Sequence, residues 1–185
     1  MIHLKNISAV NPKTIEQYQL TRRAGVIWLY SEDGRNWYEA IQDFAADTIK
    51  VMYLANGQVA WVGADPAAIN PVDASVIELA NNTANRRIDA SGYWYFRDDK
   101  FVFDWQAKSE DERRQRLSVL SQATTELERD ALAGIITPEG LEKLKQYRLY
   151  VRALRDMDFS RITDRKSHDA IVWPQAPDDI KGDNA

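Results

Sequence analysis

The chain has 185 residues, with 24 Lys and Arg against 28 Asp and Glu and no cysteine. A single domain of this length buries roughly 70% of its unfolded surface. The net charge of -4 argues against broad binding to nucleic acid or anionic membrane, and the lack of thiols excludes disulfides and thiolate chemistry.

In chain order, MIHLKNISAV has no long apolar core after its lysine and no apolar run approaches the ~20 residues a membrane helix needs, so neither export nor membrane insertion is expected and the bacterial host cytoplasm is. Asn11-Pro12 marks an early turn, and Ile15 to Leu20 is compatible with a short helix or a strand. Gly25 and the Ser31-Glu32-Asp33-Gly34 turn bound the β-branched and aromatic run Val26 to Tyr30, which predicts a strand. Trp37, Ile41 and Phe44 stand at helical spacing. The alternation over Ile49 to Leu54, the dipeptide Asn56-Gly57 and the return Val59 to Val62 predict a hairpin with a type I′ turn. Ser75 to Leu79 is a further strand, Asn81 to Asn85 an exposed loop, and Tyr93 to Phe96 with Phe101 to Trp105 a second hairpin turned by Arg97-Asp98-Asp99-Lys100.

At Lys108 the pattern changes from strands to helices. Ser109-Glu110-Asp111-Glu112 has the form of a capping box that starts a helix. Leu117, Leu120, Leu127 and Ala131 form its seam, with Thr124 in the gap, and Gly134 stops it. Thr137-Pro138 starts a second helix, on which Leu144, Tyr147, Val151 and Leu154 share one stripe. So short a link makes the two helices antiparallel. Ile171, Val172, Trp173 and Pro174 then form an extended segment, expected to fold back and lay the Trp173 indole near Tyr147 or Tyr150. Beyond Asp178 the chain is polar and is expected to fray. The expected fold class is α+β: a β-rich partner-binding region of short antiparallel strands over residues 1–106, a helical hairpin over 107–158, and an extended C-terminal tail over 159–185.

The spacing Leu141, Leu144, Tyr147, Arg148, Leu154, closing on Trp173, Pro174 and Pro177, resembles the tail-fibre assembly (Tfa) proteins of tailed bacteriophages and prophages, most clearly over residues 107–177. That resemblance implies a chaperone for trimeric, receptor-binding tail fibres rather than an enzyme. It implies the C-terminal part of a fibre protein as partner and leaves open retention on the virion.

The residues themselves offer little chemistry. His3 and His168 have no cysteine or third ligand at metal-binding spacing, so no metal is expected, and no phosphate loop, dinucleotide fingerprint or nucleophile elbow points to a cofactor or catalytic residues. Asp98, Asp99 and Asp104 could pair as glycosidase carboxylates, but aspartates at a hairpin turn are far more often turn formers. Arg113, Arg114 and Arg116 are expected to pair with Glu110 and Glu112.

The aromatic excess carries the partner-binding expectation. Trp28, Tyr30, Trp37, Trp61, Tyr93, Trp94 and Tyr95 fall in the β-rich part, and aromatics on both faces of a hairpin leave one layer for a partner. The helical seam, with Leu120, Leu127, Leu144 and Val151, is expected to be an intramolecular core that also supports a homo-oligomer. Three function classes follow: an assembly chaperone for a tail fibre, a carbohydrate or receptor-binding module, and a structural virion component at the fibre tip.

Overall fold

The structure is a computed structural model that describes residues 1–177, except for the side chains of Gln122 and Ala123; the expected fraying beyond Asp178 lies outside the described residues. It divides into two compact units, one ending at Phe103 and one beginning at Asp104.

The first unit is built on a five-stranded antiparallel sheet of order β2-β1-β5-β3-β4, formed by Trp28–Tyr30 (β2), His3–Val10 (β1), Ala74–Leu79 (β5), Ile49–Leu54 (β3) and Val59–Gly63 (β4). Ile15–Ala24 forms a helix, α1: the Thr14 side chain accepts from Gln17 N–H at 3.2 Å and Gly25 closes it at φ 66°. Cap and stop decide what the apolar pattern left open. Helix α2 is short, Trp37–Ala40, and continues as a 3-10 turn over Ile41–Asp43.

Both faces of the sheet are covered. On one, Leu4, Ile7, Leu29 and Val76 pack with Trp37 and Ala40 of α2. On the other, Val51, Val59 and Ile88 pack with Trp94 and Phe101 of a separate two-stranded ribbon, Trp94–Arg97 (β6) and Lys100–Phe103 (β7).

The paired positive-φ geometry expected at Asn56-Gly57 occurs instead at the other hairpin turn. At Asn56-Gly57 only Gly57 has positive φ, 86°, and its N–H donates to Leu54 O at 2.8 Å. That is a three-residue loop ending in a left-handed residue, not type I′. The paired positive φ values occur at Asp98 (51°) and Asp99 (56°), directly between the paired Arg97 and Lys100. Aspartate tolerates the left-handed region, so the twist of the ribbon, rather than the presence of glycine, selects the primed turn.

One buried polar cluster ties three segments together. Lys50 is 1% exposed and donates to Ala45 O at 2.5 Å and Thr48 O at 3.3 Å. Its cross-strand neighbour Glu78 accepts through one oxygen from Ile2 N–H at 3.0 Å, and through the other from Ala45 N–H at 2.7 Å and Thr48 Oγ1 at 2.8 Å. Burial pushes the Glu78 carboxyl up. The Thr48 hydroxyl, the two amides and the N-terminal ammonium more than reverse this and hold it below its ordinary value.

The second unit is a helical hairpin, α3 (Trp105–Ala133) and α4 (Pro138–Arg155), followed by the five-residue helix α5 (Arg165–Asp169) within the polar run. Helix α3 starts four residues earlier than Ser109. Asp104 caps it, accepting from Ala107 N–H at 2.9 Å, so Trp105 opens the helix instead of ending a strand. Ser109 is buried inside the helix, with its hydroxyl turned back to Trp105 O at 2.9 Å. Aspartate is at least as good a cap as serine, and it stands first in the chain. Gly134 and Thr137-Pro138 stop and restart the helices as the sequence predicts.

Leu120, Tyr147, Tyr150 and Leu154 are buried between the helices, with Leu117, Leu127, Val151 and Trp173 packed against them. Leu144 is only half-buried and Ala131 is exposed. The chain returns to the hairpin, where Trp173 packs against the cluster that holds Tyr147 and Tyr150 and tilts against Phe159, with ring centroids 5.5 Å apart. The Arg116 guanidinium lies 3.8 Å from the Trp173 ring centroid, and Arg113 covers Phe159 at 5.4 Å. Arg113 and Arg114 do pair with acids, Glu110 and Asp111, whereas Arg116 is spent on the indole. Val172 stays 89% exposed.

Candidate functional site

The seven aromatics expected to face a partner separate into three environments. Trp28, Tyr30 and Trp37 are buried and offer no free surface, which corrects the expectation for them. The Trp28 indole donates to Gln17 O at 3.2 Å and Thr21 Oγ1 at 2.9 Å, and Gln17 Nε2 donates to the Tyr30 hydroxyl at 2.9 Å. Trp37 packs on Phe44 in the core. All three residues of β2 are buried, because α1 engages its aromatic side chains by hydrogen bonds that the alternation of the strand cannot reveal.

Trp61 is half-buried on β4 and lies along its own strand: a Cβ built on Gly63 would stand 2.2 Å from Trp61 Cζ2. It pairs with Met52, whose side chain packs on the α2 side of the sheet. It is therefore not brought together with the ribbon.

Tyr93, Trp94 and Tyr95 are half-buried at the ribbon. The register pairs Trp94 with Phe103 and Phe96 with Phe101 on one face, and Tyr95 with Val102 and Arg97 with Lys100 on the other. The first face is turned to the sheet. Phe96 stacks on Tyr53 with centroids 4.7 Å apart, meets His3 edge-on at 5.4 Å, and tilts against Phe101 at 5.0 Å. Trp94 meets Phe103 edge-on at 5.2 Å, and Tyr93 tilts against Phe103 at 5.7 Å. Phe96, Phe101, Phe103, His3, Tyr53 and the outer pair Arg97 and Lys100 were not among the expected site residues. The parity of WYFR against KFVF was the available signal.

His3 sits beneath the ribbon, with Nε2 2.6 Å from the Tyr53 hydroxyl. Burial, and then Lys5, hold its pKa below 6.5 against the opposing fields of Asp99 and Glu32, so the ring stays neutral at pH 7. The ribbon is tied to the β3–β4 turn by Phe96 N–H donating to Gly57 O at 2.7 Å and by Gln58 Nε2 donating to Gly92 O at 2.9 Å. A Cβ on Gly57 would stand 2.5 Å from Phe96 O. Gly57→Ala is therefore expected to cost about 2 kcal/mol, from left-handed strain plus the clash, and to loosen the ribbon. Hydrogen exchange that is faster at Phe96 than at β5 would show this, and unchanged exchange at Phe96 would refute it.

The residues of the C-terminal motif divide between buried and exposed positions. Tyr147 and Leu154 are buried, Arg148 bridges to Glu128 at 3.1 Å, and Pro174 and Pro177 line a groove of about 420 Å³ with Leu149 and Tyr150. Leu141 is exposed. Asp98 and Asp99 form the turn, and Asp104 caps α3. Among the described residues no group of His, Asp and Glu could hold a metal ion, and no helix is long and apolar enough to cross a membrane.

These features define a class: an α+β protein of a sheet unit and a helical-hairpin unit, with an aromatic ribbon as its candidate site. The family model described as Caudovirales tail fibre assembly protein, lambda gpK, matches residues 39–178. The chain belongs to that family of tail fibre assembly proteins. It is 39% identical over 186 residues to tail fiber assembly protein U' of Escherichia phage Mu and 40% identical over 186 residues to protein U' of Escherichia phage P1, alignments that span 96% of this chain and 100% of each relative. It is also 37% identical over 183 residues to a probable tail fiber assembly protein of Escherichia phage P2, with 96% and 99% covered.

Proposed function

We propose that the protein is a non-enzymatic chaperone of tail-fibre assembly that binds the distal, C-terminal part of the fibre protein in the bacterial host cytoplasm and promotes its folding and trimerisation. The observation that supports this reading is the β6–β7 ribbon, whose outer face leaves Tyr95 only half-buried beside Val102 on a two-stranded element. Aromatic surface of this kind shields the apolar surface of an unfinished chain. The action draws on binding energy alone: a chaperone that binds the assembling form shifts the folding equilibrium by mass action. The relatives' names, tail fiber assembly proteins, support the same partner.

The helical unit does not choose the partner. Its seam is filled from within one chain at Leu120, which is 1% exposed.

Co-expression tests the reading. With the full chain present, the phage's fibre polypeptide is expected to be recovered soluble and trimeric, and without it as aggregate. A fibre that trimerises equally well alone overturns the proposal.

A further inference from the structure

The inner face of the β6–β7 ribbon is consumed by its packing on the sheet, which leaves the outer face to be explained. That face holds Tyr95 beside Val102 and Arg97 beside Lys100, each a directly opposed cross-strand pair. Two cations placed directly opposite each other on a short ribbon repel, and sheets avoid this arrangement unless something offsets it. Arg97 and Lys100 are both exposed, and among the described residues neither forms an ion pair. The nearest acids in sequence, Asp98 and Asp99, do not pair with them, and the charge of Asp99 is felt on the inner side, at His3 and Tyr53. The Arg97 guanidinium lies over the Tyr95 ring, its central carbon 4.3 Å from the ring centroid. Stacking of this kind holds the cation in place while its N–H edges stay free for a carboxylate.

We infer that this outer face, Tyr95, Arg97, Lys100 and Val102, is a docking surface for an acidic segment of the fibre protein, one that places a carboxylate against the Arg97–Lys100 pair and an apolar side chain against Tyr95 and Val102. The inference rests on the chaperone reading and adds the chemistry of the partner to it. Charge complementarity selects the occupant. A second copy, whose own ribbon carries the same two cations, would bring like charges together about a two-fold axis.

The test uses the full chain and the co-expressed fibre polypeptide, captured at increasing NaCl. Wild-type capture is expected to weaken about tenfold or more between about 50 mM and 500 mM NaCl, as exposed charges are screened. Arg97→Gln/Lys100→Gln is expected to lose about tenfold in affinity at low salt and most of the salt dependence. Arg97→Glu/Lys100→Glu should lose more. The glutamine variant keeps the test valid if four adjacent acids prevent the ribbon from folding. Capture of wild type and glutamine variant with equal affinity and equal salt dependence overturns the inference and leaves the chaperone reading intact. Absence of fibre capture by wild type at any salt overturns the chaperone reading itself, and the inference with it. Loss of self-association, with fibre capture unchanged in the glutamine variant, would assign the face to a second copy and equally overturn the inference.

Discussion

Trp173→Ala is expected to melt the helical unit well below the wild-type temperature with no fibre present. The indole packs against the cluster of Leu120, Tyr147, Tyr150 and Leu154, with Phe159 on one side and the Arg116 guanidinium 3.8 Å from its ring centroid. Removing a tryptophan from a core typically costs 3 to 5 kcal/mol, and because this one is half-buried the expected loss is about 3 kcal/mol. In a unit of this size that is a fall of about 10–20 °C in melting temperature. The segment before it, Ile171 to Trp173, is followed by Pro174, so little backbone freedom is recovered elsewhere when the contact is lost. Calorimetry of the isolated full chain provides the measurement. An unchanged melting curve together with lost fibre rescue would make Trp173 a contact for the partner and contradict the docked role.

Glu78→Gln is expected to destabilise the sheet unit by about 3 kcal/mol at neutral pH. Each carboxylate oxygen accepts hydrogen bonds, whereas an amide presents one acceptor oxygen and turns its NH2 towards a backbone donor. A buried donor left unsatisfied costs about 1–3 kcal/mol, and more beside a charge such as Lys50. The sign of the pH effect follows from the depressed folded pKa. The stabilisation is fully present above the ordinary value of 4.5 and is lost as pH falls through the lower folded value. The gap between wild type and variant should therefore narrow progressively as pH falls below 4.5. Urea titrations at a series of pH values would show the narrowing, and a constant gap down to pH 3 would exclude Glu78 as the titrating group.

The sequence made some levels of this structure legible and hid others, for physical reasons. The helical hairpin was readable because Gly134, Thr137 and Pro138 are local punctuation, and their geometry depends on few distant residues. The start of α3 was misplaced because two good caps, Asp104 and Ser109, compete within five positions, and periodicity does not say which is used. The type I′ expectation at Asn56-Gly57 failed because the strong Asn-Gly signal ignored the loop length that the β3–β4 pairing required. At the candidate site, the pairing of ribbon residues was implicit in the alternation, but which face meets the sheet was not. It depends on Tyr53 and His3, which lie over 40 and 90 positions away from Phe96. The burial of Trp28 and Tyr30 was hidden for the same reason, since Gln17 and Thr21 reach them from another element.

The strand pairing of β1 has a temporal consequence. His3 pairs with Ile77 and Ile7 with Ala74, so the first strand made by the ribosome waits for some seventy further residues before its central partner exists. Closing so long a loop is slow compared with local hairpin and helix formation. During synthesis, β1 can hold only the neighbouring β2 (Ser8 with Tyr30), and its other edge stays open until β5 emerges. The bend at Asn6, φ 47°, with its N–H given to Ser75 Oγ at 2.9 Å, can form only at that moment. A tail fibre assembly protein of this fold therefore passes through an interval in which one edge of its own first strand is open.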